Sequence, residues 1–524
     1  MKNTKNSTKG QLNEQEKVAL LEQEVALLKV KVNWYEEQIR LSNQKRFGAS
    51  SEKTNSDQLT FFNEAEKEFS SRVKEPTVEE ITYKRKKRKK KTYDESYGHL
   101  PTETIVYDLS DEDKKCSECN NDLHEMSKEI HKEIKIIPAK AYIVEHVKKV
   151  YSCRHCESNN ILVPIKKAEG KNPVLKGSLA SPSIIAYVMD KKYTSAMPLY
   201  RQEKEFKNFG INLSRQTLSN WVIKASNQWL SPLYERFHEL LVQRKYLHAD
   251  ETTLQVLKED GRSAQQKSYM WLYTTSKDTG PSICLYDYQT TRARKHPQRF
   301  LQDFKGYLQT DGYSAYDKLE NISVVGCFAH VRRYFTDALK AVPDKSSITH
   351  LSATKGLNFC NELFRIEKTL KDLEPNQRYE RRLEESQKVL DVFYQWLIET
   401  QNKALPKSSF GKAINYTLNQ WNRVSKFMED GHLSIDNNRA ERAIRPFVIG
   451  RKNFLFSNTP KGANASATIY SIIETAKANN LSPYHYLNHL FETFPNIDLD
   501  HKESIDALLP WAKNLPKECY LNTN

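Results

Sequence analysis

Three acids in this chain stand where chemistry explains them better than solubility does. Asp250 lies inside KYLHADETTLQVL, whose alternating apolar and polar residues read as a β-strand. A carboxylate in mid-strand is costly to bury without a partner. Asp311 ends the strand-like run GYLQTD and is followed by the turn residue Gly312. On adjacent strands these two acids can share a metal ion. Glu441 lies in SIDNNRAERAIRPFVIGRKN, expected to start a helix near Asp436 and to stop or kink by Pro446. Ala440, Ile444 and Phe447 form its apolar stripe. Glu441 sits at the rim, in line with Asn437 and Arg445. Pattern alone leaves Glu441 two roles: a metal ligand, or a helix-surface partner of Arg445 worth about 0.3–0.5 kcal/mol. Carboxylate oxygens suit Mg²⁺ or Mn²⁺. Two such ions serve phosphoryl transfer, one activating the attacking water or 3′-hydroxyl and the other stabilising the leaving oxygen.

A second chemistry is written in sulfur. The chain has 8 cysteines. Cys116 and Cys119 fall in CSEC, Cys153 and Cys156 in CRHC. Two such knuckles can each grip one side of a tetrahedral zinc ion, and the strand-like run between them describes a zinc ribbon. The alternative is a pair of redox dithiols, but nothing nearby looks thioredoxin-like. Cys284, Cys327, Cys360 and Cys519 are scattered, which fits a reducing compartment better than a disulfide framework.

The elements that must position the three acids follow in order. From Tyr246 the pattern reads as three strands, a helix, a strand, a helix-like stretch and a strand, the order of an RNase H-like α/β domain. The amphipathic, charged stretch 340–430 reads as a helical insertion outside the sheet. The chain is therefore read as a multidomain α+β and α/β protein. Its parts are a coiled-coil helix (1–47), a basic linker (48–98), a zinc ribbon (99–170) and a helical, helix-turn-helix-like domain (171–240). The catalytic core follows (241–339), then the insertion (340–430), the glutamate helix (431–456) and a C-terminal helical element (457–524).

The remaining features point to a polyanion. Lys and Arg number 81 against 66 Asp and Glu, a net charge of +15 in 524 residues, although charge alone is weak evidence. Every residue from Lys84 to Lys91 is basic, so Lys84, Arg85, Lys86, Lys87 and Arg88 are candidate phosphate contacts; a solvated tail is the plainer reading. MPLYRQEKEF, a break at Gly210 and INLSRQTLSNWVIKAS read as helix, turn, helix, with Ser214 as N-cap. Leu218, Trp221 and Val222 would face the core, leaving Arg215, Gln216 and Asn220 for a DNA groove. Val18, Val25, Val32 and Ile39, with Leu21, Leu28 and Tyr35, form heptads that favour a parallel pair, or else one amphipathic helix packed on its own protein. No apolar run reaches the roughly 20 residues of a membrane span, and the polar N-terminus lacks a signal-peptide core, so a cytoplasmic protein is expected.

Taken in order, these motifs resemble the transposases of insertion-sequence family 66, within the DDE superfamily. RFGASSEK, both knuckles, MPLYRQEKEF, LSRQTLSNW, HADETTLQV, LQTDGYSAYD, GCFAHVRRYF, IDNNRAERAIRPFVIGRKNFLFS and the tail YSIIETAKANNLSPYHYLNHLF with ALLPW all fit. The resemblance implies a bacterial DNA transposase that binds terminal inverted repeats, cuts strands and joins them to target DNA. It makes Asp250, Asp311 and Glu441 the catalytic triad holding two Mg²⁺ or Mn²⁺ ions. Glu251 and Asp436 rank below them, since Glu251 should face away from Asp250. Cys327 and His330 resemble a Cys-x-x-His element of several DDE groups, which makes His330 a secondary catalytic candidate beside a structural role. Arg442, Arg445 and Arg451 become candidate phosphate contacts, with salt bridges as the competing role. Double-stranded DNA, a homodimer or higher assembly, small accessory proteins and a nucleoid-associated location are the implied surroundings. The first knuckle continues as CNNDL, without the glycine frequent in the family, which affects the turn and not the thiols. Two other classes remain open: a zinc-containing DNA-binding regulator with a non-catalytic scaffold, and an RNase H-like nuclease that cuts without joining.

Overall fold

The structure is a computed structural model that describes Val25 and residues 141–151, 166–276, 280–340 and 352–521. The heptads apart from Val25, the basic run including Lys84, Arg85, Lys86, Lys87 and Arg88, and the ligand candidates Cys116, Cys119, Cys153 and Cys156 lie outside the described residues. Strands β1 (Val150–Tyr151) and β2 (Lys166–Lys167) pair antiparallel on either side of the second knuckle.

Four helices follow. They are α1 (Pro182–Tyr193), α2 (Leu199–Asn208), α3 (Arg215–Ala225) and α4 (Ser231–Val242), the last two joined by a π-helical turn over Ser226–Leu230. The reversal between α2 and α3 uses Gly210 at φ +76°, a conformation that side chains resist. Ser214 caps α3 as expected, its Oγ accepting from Thr217 N at 3.1 Å. Leu218, Trp221 and Val222 are buried. Arg215, Gln216 and Asn220 are exposed on the opposite face, with Gln216 Nε2 donating to Asn220 Oδ1 at 3.1 Å.

The centre is a five-stranded sheet of β3 (Tyr246–Gln255), β4 (Lys267–Thr275), β5 (Cys284–Gln289), β6 (Gly306–Gln309) and β7 (Ile322–Val325). Its order is β5-β4-β3-β6-β7. The β5, β4 and β3 neighbours are antiparallel, while β6 and β7 run parallel to β3. Helix α5 (Lys295–Phe300) lies on the crossover from β5 to β6. Helix α11 (Asn438–Phe454) packs on β3 and β4, burying Ala440, Ile444, Phe447 and Val448. The helix continues past Pro446, so the stop that the sequence allows there does not occur. An interior proline costs about 3 kcal/mol. Ile444, Phe447 and Val448 offset this, since burying each contributes roughly 1.5–3 kcal/mol. Helix α12 (Pro460–Ala478) closes the free edge of β5 with its hydroxyls. Ser471 Oγ accepts from Tyr286 N at 2.8 Å, and Thr475 Oγ1 accepts from Cys284 N at 3.0 Å. An edge so covered cannot recruit another strand.

Between β7 and α11 the chain builds a separate helical layer. Helix α6 (Phe328–Lys340) leaves the sheet and is followed by α7 (Ser352–Thr369), α8 (Pro375–Arg381), α9 (Gln387–Gln401) and α10 (Ser409–Val424). Phe335, Leu363, Phe393, Leu397, Ile414 and Phe427 form its own core. A fully buried Arg382 is met on every donor. Nε and Nη2 bond Glu367 at 2.7 and 2.6 Å. Nη1 reaches Phe427 O and Asp430 O, and Nη2 also reaches Leu433 O. Helices α13 (Pro483–Thr493) and α14 (Lys502–Asp506) follow, α13 against α1. Among the described residues no helix is long and apolar enough to cross a membrane.

Candidate active site

The site begins with strand register. Tyr246, Leu247 and His248 of β3 lie opposite Tyr307, Leu308 and Gln309 of β6. Continued two residues past the end of β6, that register sets Asp250 level with Asp311, and the Asp311 charge acts on Asp250. Neighbouring strands lie about 4.8 Å apart, so the two carboxylates face one space. Asp311 is fixed by its own turn, Oδ1 accepting from Tyr313 N at 3.0 Å. Gly312 allows a close approach there: a Cβ would stand 2.9 Å from Tyr416 Oη of α10, and that side chain would have to shift. The insertion thus packs directly over the turn that carries Asp311. Burial, then the charges of Cys327 and Asp311, push the Tyr416 phenol up.

Glu441 arrives on the first turn of α11, where the helix dipole favours a carboxylate. The start of that helix is held by Asn437, which is 1% exposed. Asn437 Nδ2 donates to Ala249 O at 2.9 Å. That contact fixes the amide orientation, so Asn437 Oδ1 accepts from His248 Nδ1 at 3.0 Å. Asn437 N donates to Cys327 Sγ at 3.2 Å. Burial lowers the His248 pKa to about 4, so the ring is neutral near pH 7. One asparagine therefore ties the glutamate helix to the strand of Asp250 and to the start of α6. Asp436 serves the helix start instead: its oxygens accept from Asn438 N and Nδ2 at 3.1 and 2.8 Å.

Electrostatics draws the acids into one cluster. The Asp250 pKa is raised well above the ordinary value, first by burial and then by Glu251, Asp311 and Glu441. Its Oδ1 accepts from Glu251 N at 2.8 Å, while its buried Oδ2 accepts no hydrogen bond from any described residue. Glu251 points into different company, as alternation along a strand requires. It accepts from Arg292 Nε at 2.8 Å and from Tyr316 Oη at 2.6 Å. Burial and Asp311 still raise it to about 7 against the pull of Arg292. A buried oxygen without a donor, among several carboxylates, is a donor set that fits a hard divalent cation.

The other candidates fall at varied distances from the cluster. Cys327, His330 and Glu441 each offer a ligand-type atom within 4.8 Å of one another. Burial, then Arg333, lowers His330 to about 4, with Asp311 pulling the other way. Arg442 and Arg445 are exposed on the outer face of α11. Arg451 is drawn inward, donating to Thr253 Oγ1 at 3.1 Å and to Thr252 Oγ1 at 3.4 Å. Asn437, His248, Arg292 and Tyr416 are contributors that sequence reasoning missed. His248 carried a signal, being two residues from Asp250 and so on its face of the strand. Arg292 and Tyr416 carried none, since only the fold brings them near.

These observations meet an independent one. The chain belongs to the Transposase IS66 family, whose pattern it matches over residues 177–465. Three further regions match elements of the same family. Residues 113–157, which include all four knuckle cysteines, match the zinc-finger binding domain of transposase IS66. Residues 471–511 match the IS66 C-terminal element, and 34–105 match "Transposase C of IS166 homeodomain". Similar proteins occur in Sinorhizobium fredii. The uncharacterized protein y4jD is 27% identical over 426 residues, covering 79% of this chain and 80% of its own. The uncharacterized protein y4qI is 31% identical over 353 residues, 64% of each chain. Among solved structures, a chain of the Drosophila P element transposase strand transfer complex is similar at TM-score 0.34 and 13% identity. It is matched over 59% of this chain and 94% of its own.

Proposed function

We propose that this chain is an active DNA transposase whose Asp250, Asp311 and Glu441 hold two Mg²⁺ or Mn²⁺ ions and cut and join DNA strands. The observation that carries the reading is the buried Asp250 Oδ2, which no described residue satisfies, beside three further acids that act on it, Glu251, Asp311 and Glu441. The strand order, with three antiparallel strands followed by two parallel ones on the far side of β3, supports an RNase H-like core. Divalent cations bound there would supply activation of a water or 3′-hydroxyl and neutralisation of the leaving oxygen.

The chain's own residues do the positioning. Register sets the two aspartates side by side, and the Asn437 contacts hold the Glu441 helix against them. His330, a neutral ring beside the cluster, would donate a hydrogen bond from its N–H to an oxygen of the scissile phosphate. Arg442 and Arg445 face outward where phosphates would pass, and Arg215, Gln216 and Asn220 are exposed for a groove. Arg451 fits a structural role better, given its bonds to β3 hydroxyls. The basic run would add contacts without sequence choice. Cys116, Cys119, Cys153 and Cys156 would hold a structural zinc ion. The domain boundaries given above, a coiled-coil dimer and a cytoplasmic, nucleoid-associated location belong to the same proposal.

The test uses the full chain, an end-bearing DNA fragment and a target plasmid in Mg²⁺. Wild type yields joined product. Asp250→Asn, Asp311→Asn and Glu441→Gln each keep DNA binding and lose cleavage and joining. Full activity in any of the three overturns the assignment. Cleavage without joining identifies a nuclease instead, and binding without cleavage identifies a regulator.

A further inference from the structure

Cys327, His330 and Glu441 make a group whose chemistry differs from that of the aspartates. A sulfur, an imidazole nitrogen and a carboxylate oxygen lie within 4.8 Å of one another. They come from the loop into α6, the first turn of α6 and the first turn of α11. Those elements are fastened together, Phe328 N donating to Ile435 O at 2.9 Å and Asn437 N to Cys327 Sγ at 3.2 Å. Cys327 is 2% exposed and is a free thiol. His330 Nδ1 is buried and makes no hydrogen bond with any described residue. Sulfur and imidazole select a thiophilic ion such as Zn²⁺, not Mg²⁺. With bonds of about 2.0–2.3 Å, tetrahedral zinc needs donor atoms about 3.3–3.8 Å apart. Closing the group takes about 1 Å of movement, within the reach of side-chain rotation. The amide that already points at the sulfur is the kind of outer contact that steadies a metal-bound thiolate.

We propose that these three residues form an inhibitory zinc site, which shares Glu441 with the three-acid cluster and disables strand cleavage when filled. On binding, the Cys327 thiol releases its proton to solvent and a sulfur–zinc bond forms. The His330 nitrogen and one Glu441 oxygen complete three positions, with water in the fourth. Thiolate and carboxylate together balance the two positive charges of the ion. Glu441 is then turned toward the sulfur and withdrawn from the hard-metal cluster. This consequence rests on the role proposed above for Glu441; the binding itself does not.

The experiment compares the full chain with Cys327→Ser, each equilibrated with micromolar Zn²⁺, desalted and measured for bound zinc by mass spectrometry. Wild type is expected to retain one equivalent more than the variant; equal zinc content overturns the proposal. His330→Asn, which keeps the thiol, should also lose that equivalent and guards against misfolding of one variant. Cobalt substitution gives a second readout, a thiolate-to-cobalt charge-transfer band weaker in Cys327→Ser by one site. In Mg²⁺-dependent cleavage, Cys327→Ser should tolerate at least roughly tenfold more Zn²⁺ before half-inhibition, since losing even an outer contact to a metal costs about 10–100-fold. An unshifted zinc sensitivity refutes the inhibitory role even if the extra equivalent is found. If wild type shows no cleavage at all, the zinc count still decides the site, and it is the transposase activity that fails.

Discussion

Two buried carboxylates, Glu367 in the helical insertion and Asp250 in the sheet, answer the same physical problem in opposite ways. Glu367 meets a guanidinium on both oxygens, and Arg382 spends its other donors on three backbone carbonyls. That charge is neutralised within the protein. Asp250 is surrounded by more acid, and one of its oxygens has no donor among the described residues. Taking a charge out of water is expensive in either place. The insertion meets the cost with an internal partner, whereas the sheet offers Asp250 none among the described residues. On the function proposed above, this is the physical difference between an acid that supports a fold and an acid that would hold a cation.

The contrast is sharpest where one atom is changed. Asp250→Asn should lower Mg²⁺-dependent cleavage by roughly 10³-fold or more, the scale of removing one member of a catalytic unit. The same variant should melt no lower than wild type in metal-free buffer, because it removes an uncompensated charge. Glu367→Gln should do the reverse, costing about 3–5 kcal/mol in urea unfolding by stranding Arg382. Pairing it with Arg382→Met should recover much of that loss. Similar destabilisation by Asp250→Asn and Glu367→Gln would erase the distinction.

A smaller effect is expected where the two systems touch. Asn437→Ala removes hydrogen bonds to Ala249 and His248 and should cost about 1–3 kcal/mol. It should also depress the cleavage rate while DNA affinity holds, since the glutamate helix would sit less firmly. A loss of affinity with an unchanged rate would assign Asn437 to DNA instead.

The smallest expected effect is on pH. Glu251 titrates near 7 in the folded chain against an ordinary 4.5. The folded state therefore holds this proton longer than the unfolded one. The associated stability is present below about pH 4.5 and lost as pH rises through 7, and the raised Asp250 acts in the same direction. Metal-free protein should thus melt a few degrees lower at pH 8 than at pH 5, at the scale of about 1 kcal/mol per few degrees. Millimolar Mg²⁺ should shrink that difference. A slope indifferent to Mg²⁺ would mean that the cluster does not bind the ion.

Much of the sheet was legible because alternation and strand ends leave strong marks. HADET and LQTDG announced strands with acids, and both aspartates lie where the pattern sets them. Alternation also separated Asp250 from Glu251, although it did not reveal that Arg292 and Tyr316 take up the second acid. The helical layer was readable from its charged, amphipathic stretches, but its buried Arg382 was not, since nothing local distinguishes it from the exposed arginines beside it. Pro446 does not stop the helix, because local propensity yields to tertiary packing. The bonds of Asn437 were beyond reach for a different reason: its partner Ala249 lies 188 residues away in the chain.

The distance between those partners has a consequence for synthesis. The strands that carry Asp250 and Asp311 leave the ribosome well before α11 exists. Until then β5 also lacks the hydroxyls of Ser471 and Thr475 that close its edge. A chain ended early by a nonsense codon before Asn438 would hold both aspartates and an open strand edge, with no glutamate to complete the trio. Such a fragment would be prone to aggregate and unable to cut, so unfinished translation would fail on the side of silence.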